Sequence, residues 1–242
     1  MVKYSFVILT YNRPEHFSKC VMSVANAIRK GDGVSEVIVV DNGGVDPRTL
    51  EFVKGYVHGA DAAMAYIKLE KNEGVVARNY GFEIANGAYV VQVDDDVVVS
   101  DNLLPVLNEH LDANTAVGPM GHFAFHDLHE PIARLRANPG EYCDLLMGYC
   151  WAFPNRGLSY DTDFGLHWHE ETDLQLNMKM LGIRMKCCDG SVATHNSAKP
   201  PGPFMHELQR ENHRRIVQRW VGQDVPWEDP DETVERKPVF AD

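Results

Sequence analysis

Three apolar, β-branched runs in the first half of the chain each stop at polar residues. "YSFVILT" ends at Thr10, "VSEVIVVD" at Asp41 and "AYVVQVD" at Asp94, with a shorter run, "AYIKLEK", between the last two. Strands this uniformly apolar have no face to turn to water, so both faces need a cover. The intervening segments have helical period and supply that cover. The alternation is the pattern of a largely parallel sheet flanked by helices.

In "RPEHFSKCVMSVANAIRK" the helical period starts beside Pro14, a residue that costs little in a first turn because the N–H it lacks has no partner there. "EGVVARNYGFEIANG" reads as a helix closed by Gly87. The second half is less regular. There, "MGYCWAFP" (Met147 to Pro154) reads as a strand, "EETDLQLNMKMLG" as a helix stopped by Gly182, and "IRMKCCDGSVATH" as a strand leading to His195. "FMHELQRENHRRIVQRW" is an amphipathic helix, and the acidic, proline-bearing stretch beyond Trp220 is expected to be extended or mobile unless it docks.

With 242 residues, 44% hydrophobic and 24% charged, the chain can bury one sizeable core, so one main domain over 1–221 with a tail over 222–242 is expected. A net charge of −12, from 35 acids against 23 Lys and Arg, argues against nucleic acid or an anionic bilayer as partner. The apolar run near the N-terminus is too short for a signal peptide, and no segment reaches membrane-spanning length, so a soluble, cytoplasmic protein is expected. Five cysteines, an odd number with no C-x-x-C pair, indicate reduced buried thiols and neither a disulfide framework nor a cysteine zinc site.

In open α/β sheets ligands bind at the carboxyl ends of the strands, where this chain carries "TYNR", "DNGG" and "DDD". That is the outline of one nucleotide-sized crevice. Neither G-x-G-x-x-G nor G-x-x-x-x-G-K-[ST] occurs, so phosphate charge has to be met by other means. Adjacent carboxylates are costly unless a cation neutralises them, and carboxylate oxygens with water and phosphate form a usual shell for Mg²⁺ or Mn²⁺. At an extended strand end Asp94 and Asp96 point to one side and Asp95 to the other. Taken alone, the triplet reads more readily as a solvated acidic turn after a strand.

The triplet does not stand alone. "FVILTYNRPEHFSKCVMSV", "VIVVDNGG", "NEGVVARNYGFEIANGAYVVQVDDD" and "EETDLQLNMKMLGIRM" have the order and spacing of family 2 glycosyltransferases, and "VATHNSAKP" with "ENHRRIVQRW" resembles the ending of many members. The resemblance implies a GT-A fold, a Rossmann-like open mixed sheet flanked by helices. Residues up to about 100 would form the nucleotide half, and about 101–221 the acceptor half. It implies inverting transfer from a nucleoside diphosphate sugar, with UDP favoured over GDP, assisted by Mn²⁺ or Mg²⁺. Thr10, Tyr11 and Arg13 would border the nucleotide. Asp41 would accept a hydrogen bond from the base, and Asp94 and Asp95 would lie by the nucleotide. Asp96 and His195 would hold the metal, with Asp94 able to join them. Arg78 would face the diphosphate from a helix N-terminus, unless it is a surface ion-pair partner.

Inverting transfer requires a base for the acceptor hydroxyl. Relatives commonly read E-D-x-D-L where this chain has "EETDL", which aligns Glu171 with the base; Glu170 and Asp173 are the alternatives, or simply acids suited to a helix N-terminus. Glutamate stands here where aspartate is usual. His122, His126 and His129 are expected in a loop, and the two histidines of "HWHE" as acceptor-site lining or structure, not zinc ligands. Two other functions stay open: a catalytically silent sugar-nucleotide or glycan-binding module on the same fold, and a nucleotidyltransferase, for which "TYNRPEHF" is a poor triphosphate loop. Residues from Gly118 to Asp163 are expected to meet an acceptor, a glycan or another hydroxyl compound.

Overall fold

The computed structural model describes residues 2–31, 33–124, 135–165, 168–196, 203–231 and 233–235, with side chains from 207 onward in the last helix. Its strands are β1 (Tyr4–Thr10), β2 (Ser35–Asp41), β3 (Ala63–Lys68), β4 (Tyr89–Asp94), β5 (Val97–Val99), β6 (Thr115–Gly118), β7 (Gly121–Phe123), β8 (Leu135–Arg136), β9 (Tyr142–Cys143), β10 (Leu145–Leu146), β11 (Cys150–Pro154), β12 (Arg184–Cys187) and β13 (Ala193–His195). The helices are α1 (Pro14–Lys30), α2 (Pro47–His58), α3 (Arg78–Ile84), α4 (Leu103–His110), α5 (Glu170–Met180) and α6 (Pro203–Trp220).

The main sheet has the order β3-β2-β1-β4-β11-β6-β12-β9. β1 to β4 run parallel, β11 enters antiparallel to β4 and β6, and β12 returns parallel to β6. Because β2 and β4 lie on opposite sides of β1, the chain order reverses there, and such a switch point opens a crevice at the carboxyl ends of the strands. All seven residues of β1 are buried. Phe6 and Ile8 pack with Phe17, Val21 and Val24 of α1 on one face of the sheet. Val7 packs with Phe82 of α3, Trp151 and Phe153 of β11, and Leu174 and Met178 of α5 on the other. A period of two thus feeds two cores from one strand, and each large side chain so buried contributes roughly 1.5–3 kcal/mol.

Several elements differ from the sequence reading. α2 was not anticipated, because only Val53 and Val57 of it are buried and its apolar stripe is thin; its start is nevertheless written in Asp46, which accepts from the N–H groups of Arg48 and Thr49, and in Pro47. α4 is a second helix that the sequence pattern does not announce, short, with Leu103, Leu104 and Leu107 buried. The helix expected to close at Gly87 is a 3₁₀ turn over Val75–Ala77 followed by α3, and it ends at Ala85. Gly87 serves a close approach instead: a Cβ there would lie 2.7 Å from the Ser5 nitrogen. The strand expected to run through to His195 breaks after Cys187, and a 3₁₀ turn carries the chain to β13, which pairs with β5 in a separate ribbon. His122 is buried in β7, not in a loop, while His126, His129 and His167 lie outside the described residues.

Beyond Trp220 the chain docks: Val225 is buried, Trp227 packs beside it, and the Glu228 N–H donates to Asp144 at 2.7 Å while its carboxylate meets Arg184. All five cysteines are free and buried. No helix among the described residues is long and apolar enough to cross a membrane.

Candidate active site

β4 ends at Asp94, and Asp95 and Asp96 form the turn into β5. Strand alternation therefore does not place these acids, yet the outcome is the one expected of it. Asp94, Asp96 and His195 each bring a ligand atom within 4.8 Å of the others. The β13–β5 ribbon, in which His195 pairs with Val97, brings the imidazole back over the turn. His195 Nε2 lies 3.2 Å from Asp96 Oδ1, and its ring stacks on Tyr149 at 4.8 Å. Asp95 faces the other way and accepts from the Thr10 hydroxyl at 2.9 Å, the Tyr11 N–H and Arg13, which also reaches Asp96 at 2.8 Å.

These environments separate the carboxylates electrostatically. Burial raises the pKa of Asp94 against the pull of Arg78, and burial likewise raises Asp95. Burial also acts on Asp96, but the hydrogen bond and charge of His195 outweigh it and lower its pKa. The hydrogen bond to Asp96 raises His195 against burial. Two carboxylates and an imidazole on one side of a turn form a donor set that fits Mn²⁺ or Mg²⁺.

Arg78 opens α3 and is no surface residue: it is 2% exposed and paired with Asp94 Oδ1. Its Nε has no hydrogen-bond partner among the described residues, and an unsatisfied buried donor costs about 1–3 kcal/mol. Asp41 is fully buried, and its two oxygens accept from the N–H groups of Gly43, Gly44 and Val45 and from the Tyr66 hydroxyl. Burial works to raise its pKa, but these hydrogen bonds prevail and lower it. A carboxylate has about four lone-pair sites, so Asp41 is committed to shaping its own turn. Tyr11, 48% exposed, lies against that turn, where a Cβ on Gly43 would meet its ring at 2.5 Å.

The three acids at the start of α5 diverge. Asp173 turns to α6 and accepts from Trp220 Nε1 at 2.7 Å and from Asn177, with Arg219 at 3.3 Å. Glu170 is 1% exposed. The carboxylate of Glu171 occupies the space over Gly148, where a Cβ would come within 1.8 Å of it. Gly148 adjoins Tyr149, whose carbonyl accepts from the Asp94 N–H at 2.8 Å; burial works to lower the pKa of Arg78, but the charge of Asp94, helped by Tyr160 and Glu171, raises it. His169 holds a left-handed backbone at the N-cap of α5, its ring 5.3 Å from that of His213.

Four residues of this wall were not singled out from the sequence: Gly148, Tyr149, Gln92 and Tyr160. The Gln92 amide donates to the Gly148 carbonyl at 2.6 Å and accepts from the Tyr160 hydroxyl. A glutamine inside the apolar run "VVQVD" was the available signal, since a buried amide demands partners.

An open α/β sheet with an acidic turn at its switch point defines the class, and solved GT-A glycosyltransferases share the fold. GalNAc-T7, crystallised with UDP, GalNAc and Mn²⁺, aligns with a TM-score of 0.68 at 16% identity, over 91% of this chain and 49% of that one. The mannosyltransferase PcManGT from Pyrobaculum calidifontis, in complex with GDP-Man and Mn²⁺, aligns at 0.64 and 19% identity, over 93% and 66%. Staphylococcus aureus TarS 1–349 in complex with UDP-GlcNAc aligns at 0.59 and 18% identity, over 93% and 68%.

Residues 5–180 match the family described as Glycosyl transferase family 2, and the chain belongs to it. Relatives include the glycosyltransferase GlyG of Streptococcus pneumoniae, 24% identical over 123 residues (51% of this chain, 40% of that protein). The poly(ribitol-phosphate) β-N-acetylglucosaminyltransferase TarP of Staphylococcus aureus is 27% identical over 106 residues (43% and 31%). An uncharacterised glycosyltransferase of Haemophilus influenzae is 28% identical over 148 residues (60% and 57%). The match thus spans less than two thirds of each of these relatives.

Proposed function

We propose that this chain is a metal-dependent, inverting glycosyltransferase that moves a sugar from a nucleoside diphosphate sugar to a hydroxyl acceptor. The observation that carries the reading is the grouping of Asp94, Asp96 and His195 within 4.8 Å, on the wall where the Glu171 carboxylate lies over Gly148. Asp96 and His195, with Asp94, would hold Mn²⁺ or Mg²⁺, which when bound supplies charge to stabilise the departing diphosphate. Arg78, with its orphaned Nε, and Arg13 face the same anion. Thr10, Tyr11 and Asp95 border the nucleotide, and Asp41 acts on the base through the turn it braces. UDP is favoured over GDP, in line with two of the three fold neighbours named above, whereas the third holds GDP-Man.

Glu171 takes the proton of the acceptor hydroxyl as the new bond to the anomeric carbon forms and the bond to the diphosphate breaks on the opposite face. The donor half lies before about residue 100 and the acceptor half after it. Glu171→Gln cannot take the proton, so hydrolysis of a UDP-sugar with Mn²⁺, water serving as acceptor, is expected to fall by roughly 10²–10⁴-fold. Donor affinity measured by calorimetry stays at the parental level. Parental turnover in that variant would show the base to be misplaced, and a parent that binds the donor without ever turning it over would identify a silent binding module.

A further inference from the structure

Among the buried residues of β4, Val90 to Val93, only Gln92 is polar, and it lies two residues before Asp94. An amide so deep costs stability unless its donor and its acceptor both find partners. Both do. Its Nε2 donates to the Gly148 carbonyl at 2.6 Å, and its Oε1 accepts from the Tyr160 hydroxyl. Tyr160 is itself gripped from α3, where the Asn79 side chain, next to Arg78, accepts from the Tyr160 N–H at 2.8 Å and donates to its carbonyl at 2.9 Å. Burial, and then the Glu171 charge, push the Tyr160 phenol well up, so it stays a donor. That fixes the amide with its oxygen towards Tyr160 and its nitrogen towards Gly148.

The bond to Gly148 reaches the group proposed as the base. The Glu171 carboxylate lies so close over Gly148 that a Cβ there would come within 1.8 Å of it, and any shift of this turn therefore moves the surface on which the carboxylate rests. The turn is held from both sides. From β4, the Asp94 N–H donates to the Tyr149 carbonyl at 2.8 Å. From α5, Gln175, 1% exposed, accepts from the Leu146 N–H at 2.6 Å and donates to its carbonyl at 3.0 Å. Gln175 follows Glu171 by four residues, so the two share a face of the helix. Gln92 supplies the hold at Gly148 itself, the residue beneath the carboxylate. An apolar side chain would fill the same space without fixing that carbonyl.

We infer that Gln92 is a positioning residue for Glu171: through the Gly148 carbonyl it fixes the surface on which the carboxylate rests, while Tyr160 holds the amide in register. The role rests on Glu171 being the base, as proposed above. The test introduces Gln92→Met, which keeps the length of the side chain and removes both hydrogen bonds, into the parent and into Glu171→Gln, and follows hydrolysis of a UDP-sugar with Mn²⁺. In the parent, kcat is expected to fall at least about tenfold while donor affinity measured by calorimetry is unchanged. In Glu171→Gln the same exchange costs no further activity, because a residue that acts only through the base has nothing left to position. Amide hydrogen exchange over residues 147–149 and 170–172 rises in Gln92→Met. Should that variant lose its cooperative melt, Tyr160→Phe takes its place, with an expected loss of at least about threefold, since only the phenol that steadies the amide is removed. Parental kcat in the folded variant, an equal fold-loss in both backgrounds, or unchanged exchange would each overturn the role of Gln92 and leave the base standing. Parental turnover in Glu171→Gln, or no turnover in the parent, would defeat the base itself and the positioning role with it.

Discussion

At Glu171 an extra methylene is matched by a missing side chain. Glutamate stands where the family resemblance leads one to expect aspartate, and its carboxylate fills the space over Gly148. Gly148→Ala therefore puts a methyl group where the carboxylate sits. The group that must yield is the end of a flexible side chain, so the fold survives and the proposed base moves. Donor hydrolysis is expected to drop at least about tenfold, since misplaced catalytic groups are costly, with donor affinity and melting temperature near parental; an active alanine variant would show that Glu171 does not work from this position. Asp41 makes a second residue-scale prediction. Hydrogen bonds hold its folded pKa below the ordinary carboxyl value, which is about 3.9 when unfolded. As pH falls the unfolded chain takes up the proton first, so the stabilisation is complete above about pH 4 and is lost as pH drops through the lower folded value. In urea unfolding, the advantage of the parent over Asp41→Asn is expected to be flat at neutral pH and to shrink in acid. An advantage that grew in acid would contradict the assignment.

Between elements, the decisive junction is α5 against α6. Asp173 is 1% exposed, and the indole of Trp220 reaches it from the last turn of α6. Trp220→Phe keeps the apolar ring contact but removes the donor, and it is expected to cost about 1–3 kcal/mol. The low end applies, because Asn177 and Arg219 still face the carboxylate. A urea midpoint equal to the parent's would mean that α6 docks by apolar contact alone. The same scale shows where pattern reading stops. Asp46-Pro47 announces α2 chemically, but two buried valines give no periodic stripe to find. Gly87 reads as a helix stop because glycine commonly stops helices; here it lets the chain cross the Ser5 backbone, a contact with a distant residue that no local window contains.

Across the whole molecule, the switch point beside β1 gathers residues separated by nearly the full chain, from Thr10 to His195, into one crevice. A ligand bound only by the folded form raises its stability by mass action, about 2.7 kcal/mol at a hundredfold excess over Kd. UDP with Mn²⁺ is accordingly expected to raise the melting temperature more than UDP with a chelator, and more than GDP with Mn²⁺. The Asp96→Ala protein is expected to lose the metal-dependent part of that shift. A shift indifferent to metal would remove Asp96 and His195 from the site, and a larger shift with GDP would reverse the donor preference.

The sequence by itself determined the class of fold, because three buried strands that end in polar residues admit little besides an open sheet with a ligand at its carboxyl edge. It also marked Asp94, Asp96, His195 and Glu171, since the ordered motifs that carry them resemble one family. What it left open were matters of partner and direction. That Arg78 is buried on Asp94, that Asp41 is occupied by its own turn, and that Asp173 and Glu171 part company all depend on which side chains distant in sequence come to lie alongside. The acids of α5 follow one another on a single helical turn, and only the packing around that turn decides which of them lies over Gly148 and which is spent on α6.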